Sequence, residues 1–372
     1  MDTHDEECGR VMISPHRRTS PSLLFGVPID DVTMEETLAA IGQLIITGRE
    51  QQRCHQITTV NVDFLVNAIT DAGVRRLLQG ADMCVPDGMP VVWAGRAAGM
   101  PLRERVAGAD LVPALAALSV SKNWRIHLFG SAEGTAERAA ELLRERNPGA
   151  IITGNSGPFI TDIANVDDAV IDEIRGLEPD VLCVALGNPK QERFIATYGV
   201  RLGVPVMIGV GGTLDFLVGG RNRAPMWMQK AGIEWVARAA QEPTRLGRRY
   251  ARDARVFLPH LISYLRQVRS LRTAGGVALT ISDSSVVVTP ARADPSEIDW
   301  QEAVRALRDG RPLSVHLAAS TQLRVEALAG IVGLIRVARQ ERTAVGPVVL
   351  STASLEGFRR MNLSGYLDDR DM

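Results

Sequence analysis

The chain reads as an α/β protein: a mainly parallel sheet with helices on both faces, extended by a basic helical segment and by a small second α/β unit. Three observations predict this. Between residues 56 and 210 short apolar runs alternate with helix-length amphipathic stretches, and strands separated by helices of that size form βαβ units. Polar residues stand where several of those runs end, and carboxyl ends of strands line the ligand crevice of such a sheet. Beyond Gly219 the chain becomes dense in arginine, and beyond Thr273 strand and helix patterns resume.

Residues 1–22 are polar, carry Arg17 and Arg18, lack the apolar stretch of a secretory leader, and read as a disordered tail. A short strand is expected at 23–27. Thr33 with Glu36, ahead of Leu38, Ile41 and Leu44, forms a capping box that opens an amphipathic helix. Strands follow at 56–60, 83–85, 125–129, 151–155, 181–186 and 204–210, with helices at 62–68, 135–146, 166–176 and 190–198. The apolar run 204–220 is broken by glycines and Asp215, so it fits a buried strand and loop rather than a membrane span. The α/β core therefore occupies 23–220.

The segment 221–272 is a basic helical appendage. Arg221, Arg223, Lys230, Arg238, Arg245, Arg248, Arg249, Arg252, Arg255, Arg266, Arg269 and Arg272 meet only Glu234, Glu242 and Asp253. On its last helix Phe257, Leu261, Tyr264, Val268 and Leu271 share one side and Arg266 and Arg269 another. Two readings stay open: a helix lying on a membrane surface, or one packed on the sheet with a solvated basic face. Pro259 is expected to interrupt it. Residues 273–276 read as a linker. The unit at 277–368 carries a hairpin at 277–281 and 286–289, helices at 300–308, 326–342 and 355–361, and strands at 313–317 and 348–351. Roughly a hundred residues suffice for a core of its own.

The formal net charge of −1 argues against wholesale nucleic-acid binding. Cys8, Cys54, Cys84 and Cys183 form no C-x-x-C pair, and the 6 histidines are dispersed, so neither a disulfide scaffold nor a metal cluster is expected. A reducing compartment fits.

Asp87 stands between Pro86 and Gly88 at a strand end, where a rigid turn lets a substrate approach closely. It is either a general base for a hydroxyl or the cap of the next helix. Thr59 and Asn61 offer a hydroxyl and an amide to sugar or phosphate oxygens, or Asn61 simply starts a helix. The stretch HLFGSAEGT, 127–135, runs strand, glycine turn, helix, an arrangement that aims N–H groups at phosphate, but it is not the G-x-G-x-x-G of a dinucleotide site. ALGNPKQE, 185–192, presents Lys190, Gln191 and Glu192 at a helix start, and GVGGTLD, 209–215, brings backbone, Thr213 and Asp215 towards a ligand.

Together TVNVD, VPDGMPVVWA, RVAGAD, LFGSAEG, GNPKQERF, GVGGTLDFLVGGRNRAP and EWVARAAQEPTRLGRRY, spread over 23–250, resemble the WecG/TagA/CpsF family of bacterial glycosyltransferases. The resemblance implies a Rossmann-like core and transfer, with inversion and without metal or other cofactor, of an N-acetylmannosamine-type or related sugar. The donor is a UDP-sugar and the acceptor a polyprenyl-diphosphate-linked sugar. By that resemblance Asp87 is the base, and Thr59, Asn61, Arg105 and Gln191 line the catalytic pocket. Gly130, Ser131, Gly187, Lys190, Glu192, Gly211, Gly212, Asp215, Arg221 and Arg223 border the substrates, and Arg238, Arg245 and Arg248 close over the diphosphate. The enzyme is then expected in the cytoplasm, held peripherally on the inner face of the cell membrane by its arginines against anionic lipid.

The unit at 277–368 resembles STAS domains through its element order, SVHLAASTQLRVEALAGIVGLIRVARQ and SLEGFRRMNLSGYL. Where phosphorylatable members carry an Asp-Ser pair, this chain has Arg324 and Val325, with Ser320 or Thr321 a remote substitute, so a docking role for a protein partner is expected rather than a phospho-switch. The alternative to an enzyme is a sensing protein whose output is this unit. A nicotinamide-dependent oxidoreductase fails on the missing glycine fingerprint.

Overall fold

The computed structural model describes residues 20–100, 102–219, 228, 245–271, 274–291, 298–318 and 322–367. The chain opens with a hairpin, β1 (Ser22–Leu24) paired antiparallel with β2 (Val27–Ile29). A single strand was expected there. Phe25 and Gly26 turn the chain instead, both in the left-handed region at φ 55° and 85°. Helix α1 (Met34–Gln51) starts at the anticipated capping box: Thr33 Oγ1 accepts from the Glu36 N–H, and the Glu36 carboxylate accepts from the Thr33 N–H.

The central sheet follows. Its strands are β3 (His55–Val60), β4 (Met83–Pro86), β5 (Arg125–Gly130), β6 (Ile151–Asn155), β7 (Val181–Ala185) and β8 (Val206–Gly209). All are parallel, in the order β4-β3-β8-β7-β5-β6. The connecting helices are α2 (Val62–Thr70), α3 (Ala72–Gly80), α4 (Met89–Ala97), α5 (Gly108–Lys122), α6 (Thr135–Arg146), α7 (Asp168–Gly176), α8 (Lys190–Leu202) and α9 (Thr213–Leu217). Strands covered on both faces need apolar residues at every position. In β7, Val181 and Cys183 join the core under α1, α5 and α6, whereas Leu182 and Val184 join Phe194 and Ile171 of α8 and α7.

Helix α10 (Arg245–Leu271) continues unbroken past Pro259, which lies on its exposed side. Phe257, Tyr264, Val268 and Leu271 are buried against the protein, so the apolar face is a packing face and the membrane-lying orientation is corrected. Arg221, Arg223 and Arg238 lie outside the described residues, as does the Arg245 side chain, whereas Arg248 is exposed on α10.

The second unit comprises β9 (Gly276–Ile281), β10 (Val286–Ala291), α11 (Trp300–Arg308), β11 (Leu313–Leu317), α12 (Val325–Gln340), β12 (Val345–Leu350) and α13 (Thr352–Arg360). Its strands lie in the order β12-β11-β10-β9, with only the β9–β10 pair antiparallel. Nearly all of α12 from Val325 to Ala338 is buried, as an all-round apolar helix requires. It is enclosed because one contiguous hydrophobic cluster joins Leu328, Ile331 and Ile335 of α12 to Leu24, Ile29 and Phe25 of the hairpin and to Tyr264 of α10.

Candidate active site

The residues singled out in the sequence gather along the carboxyl edge of the sheet: Thr59 and Asn61 at β3, Asp87 at β4, Gly130 and Ser131 at β5, Gly187 and Lys190 beyond β7, Gly211 and Gly212 beyond β8. The strand order reverses here, since the chain leaves β3 outward to β4 and later returns through β7 and β8 to β3's other side. Such a switch point opens a crevice.

A cavity of about 550 Å³ occupies the β3–β4 end of that edge. Asn61, Asp63, Asp87 and Arg105 supply its polar wall from the sheet side, and Met89, Pro90, Trp93 and Ala97 of α4 supply an apolar one. Helix α10 closes it with Arg249, Tyr250 and Asp253, followed by Phe257, Leu258 and Leu261. Arg252 ties that helix to α2, donating to Asp63 at 2.6 Å and to Asp253 at 2.8 Å. Burial raises the Asp253 carboxyl above its ordinary value.

Asp87 is not the N-cap of α4. That position belongs to Gly88, at φ 118°, a conformation an L residue resists, and Pro90 occupies the first turn, where a missing N–H costs nothing. The Asp87 N–H donates to the Val60 carbonyl at 2.8 Å, which fixes its backbone to the end of β3. Asn61 is a cap: its Oδ1 accepts from the Phe64 N–H at 3.3 Å, leaving Nδ2 as the group with which it can donate. Arg105 donates to Asp110 at 2.8 Å.

Thr59 and Gln191 do not line this cavity, although the sequence suggested both. Thr59 is buried, with its hydroxyl given to the Gly209 carbonyl at 2.9 Å. Gln191 is fully buried; its Oε1 accepts from the Gly211 N–H at 3.0 Å and its Nε2 donates to Glu192 at 2.8 Å. Glu192 is likewise inaccessible and accepts from Asn188 Nδ2 at 2.9 Å; burial pushes its carboxyl up to about 7. These three side chains shape the loops of the edge from beneath.

Further along, Ser131 donates to Asp215 at 2.8 Å, so β5 and α9 are joined above the sheet. Lys190 turns towards the side, donating to the Ile160 carbonyl at 3.2 Å with its ammonium 5.4 Å from the Phe159 ring centre. Asp63, Tyr250 and Asp253 line the cavity without having been singled out as site residues. The signal for Asp253 was its spacing, four residues from both Arg249 and Phe257 on one helix, with Tyr250 three residues before it. Among the described residues no group of three His, Cys, Asp or Glu side chains is placed to hold a metal ion.

A parallel sheet with amide, carboxylate and guanidinium groups in a crevice at its carboxyl edge, bordered by a cationic helix, is the arrangement of an α/β enzyme. The chain belongs to the WecG/TagA/CpsF family of glycosyl transferases, whose family model matches residues 22–271. It is 31% identical over 215 residues to an N-acetylglucosaminyldiphosphoundecaprenol N-acetyl-beta-D-mannosaminyltransferase of Bacillus spizizenii, covering 58% of this chain and 82% of that one. It is 29% identical over 225 residues to a Staphylococcus aureus protein of the same description, covering 60% and 86% respectively. The chain is thus a glycosyltransferase, and nothing in these matches supports the sensing alternative.

Proposed function

We propose that this glycosyltransferase moves an N-acetylmannosamine-type sugar from a UDP-sugar to an N-acetylglucosamine carried on a polyprenyl diphosphate, as a step in building a cell-surface glycopolymer. The observation that carries it is Asp87, held at the end of β4 in a cavity that is polar towards the strand ends and apolar along α4. The relatives' names supply the sugars; the two-natured cavity suits an acceptor with a sugar diphosphate at one end and a lipid at the other.

In the reaction the acceptor hydroxyl attacks the anomeric carbon of the donor from the face opposite UDP. The new carbon–oxygen bond forms as the bond to the UDP oxygen breaks, inverting that carbon. Asp87 takes the hydroxyl proton, and UDP leaves with the bonding pair. Arg105, and Arg249 from α10, are suited to balance the charge on the departing diphosphate through charge-assisted hydrogen bonds. The core at 23–220 and the appendage at 221–272 are the parts that turn over. Asn61 orients the acceptor, while Thr59, Gln191 and Glu192 act on the loops rather than on substrate.

No described helix is long and apolar enough to cross a membrane. We place the enzyme on the membrane surface through the outward stripe of α10, where Arg248, Arg255, Leu258, Ile262, Arg266 and Arg269 are exposed at helical spacing, beside the exposed Trp93. Each surface arginine contributes on the order of 1 kcal/mol against anionic lipid. The mixed four-stranded sheet and its helices support the STAS-like reading of the second unit. Arg324 is the N-cap of α12, and Ser320 and Thr321 lie outside the described residues.

The test is UDP release from a panel of UDP-sugars with a short-chain polyprenyl-diphosphate-N-acetylglucosamine acceptor, with and without EDTA. Acceptor-dependent, EDTA-resistant release with one donor identifies the sugar. Binding of a UDP-sugar with no turnover for any pair overturns the proposal.

A further inference from the structure

Arg336 sits well inside an apolar helix and is only 7% exposed, yet it makes several polar contacts across the unit boundary. Its Nη1 and Nη2 donate to the two carboxylate oxygens of Asp30 at 2.9 and 3.0 Å. Nη2 also reaches the carbonyls of Asp82 at 3.0 Å and Ala81 at 3.3 Å, at the entrance to β4. Asp30 is bound to β4 in turn: its Oδ2 accepts from the Cys84 N–H at 2.7 Å and its own N–H donates to the Cys84 carbonyl at 2.8 Å. Asp87 follows three residues later.

Asp30 also directly follows β2, and the tip of that same hairpin holds α10. The Phe25 ring centre lies 5.7 Å from that of Phe257 and 5.0 Å from that of Tyr264, and the Tyr264 hydroxyl donates to the Leu23 carbonyl. One guanidinium therefore touches the anchor of two elements, β4 and α10, that both end in the cavity. The surrounding contacts repeat the theme. Gln340 donates to the Asp82 carbonyl at 2.7 Å, Arg53 donates to the last carbonyls of α12 at 2.8 and 2.7 Å, and Gln79 donates to the Asn362 carbonyl at 2.8 Å. A Cβ on Gly26 would lie 2.5 Å from that same carbonyl, so the turn of the hairpin fits the second unit without clearance.

A desolvated guanidinium is tolerated when a bidentate carboxylate and further acceptors surround it. Undocking would strand Asp30 and expose the apolar length of α12, so the contact is built to persist. We propose that the C-terminal unit is a fixed brace of the transferase site, in which Arg336 is a positioning residue that holds β4 and the appendage helix through Asp30. The unit does not swing away to reach a partner. This rests on the glycosyltransferase reading for its kinetic consequence, though not for the brace itself.

Arg336→Met keeps the stem and deletes the charge, and Gln340→Ala removes a peripheral bond of the same contact. In full-length protein, hydrogen exchange should quicken in 83–97 and 245–271 as well as in α12. With the melting temperature still above that of the assay, kcat should fall about tenfold in Arg336→Met, by less in Gln340→Ala, with donor KM little changed. Arg336→Lys should recover part of the loss. Exchange that quickens only within α12 while kcat stays at the wild-type value overturns the brace. Should Arg336→Met not fold, Gln340→Ala decides by the same two readouts. A wild-type protein that releases no UDP sinks the transferase reading, whereas the exchange pattern still judges the brace.

Discussion

Replacing Glu192 by Gln should flatten the dependence of stability on pH. The carboxyl is fully buried behind Gly209 and accepts from Gln191 and Asn188, and burial lifts its pKa from 4.5 to about 7. Below pH 4.5 folded and unfolded chains both hold the proton, and the group makes its full contribution. As pH rises through 7 the unfolded chain has already released its proton while the folded one resists, so stability is lost over that window. A rise of that size corresponds to roughly 3 kcal/mol in all, and roughly 2 to 3 kcal/mol of it falls between pH 5 and 8.

Urea unfolding at those two pH values measures it. The wild type should lose that increment on going to pH 8, superimposed on whatever its other groups contribute, and Glu192→Gln should lack it. The amide can be accommodated if Asn188 and Asn67, joined at 2.6 Å, turn their amides over in concert. If both proteins lose the same stability between pH 5 and pH 8, the carboxyl is not the buried acid described above and its pairing with Gln191 must be reconsidered.

Asp87→Asn should lower turnover by about 10²- to 10⁴-fold, the usual range for a general base, with UDP affinity by calorimetry unchanged; wild-type turnover would remove Asp87 from that role. Tyr264→Phe leaves the buried Leu23 carbonyl without its donor and should cost about 1 to 3 kcal/mol in urea unfolding, with no change if that hydroxyl bond is unimportant. Ile262→Glu with Arg266→Glu, both exposed on α10 and outside the cavity lining, should abolish sedimentation with anionic vesicles while melting stays near wild type. Vesicle binding that persists would move the membrane contact elsewhere.

What the sequence made legible was local. Thr33 with Glu36 marked the start of α1 because a capping box is a short-range hydrogen-bond pattern, and β6 and β11 were bounded by their own composition. The positions Asn61, Asp87, Ser131 and Gly211 could be assigned to strand ends for the same reason. Burial decided by distant partners was not legible. Thr59, Gln191 and Glu192 look like site residues in sequence, yet the backbone of Gly209 and Gly211 takes up the Thr59 hydroxyl and the Gln191 oxygen, and Gln191 and Asn188 take up the Glu192 carboxylate. Helix α10 looked interrupted at Pro259, but the ring points to solvent and tertiary packing on both sides carries the helix past it. The sequence holds one further signal: a helix as apolar as 325–338 must be enclosed, and Arg336 within it demands a buried acid.

The position of Asp87 explains why so many contacts converge on the hairpin and the residue after it, 22–30. Strand β4 is the edge of the six-stranded sheet, and among the described residues it pairs only with β3. An edge leaves a row of unpaired backbone groups and a strand free to shift, whereas the proposed role of Asp87 requires a group held to within about 0.5 Å. Here the outer edge is occupied by other chain: Asp30 exchanges two bonds with Cys84, and the Val106 N–H donates to the Pro86 carbonyl at 2.8 Å, one residue before Asp87. The first of these contacts is the one Arg336 grips, and the second lies next to Arg105. The outer edge of β4 is thus fixed by segments that also carry a cation lining the cavity and the hairpin supporting α10, so displacement of either would move the proposed base and the cavity's roof together.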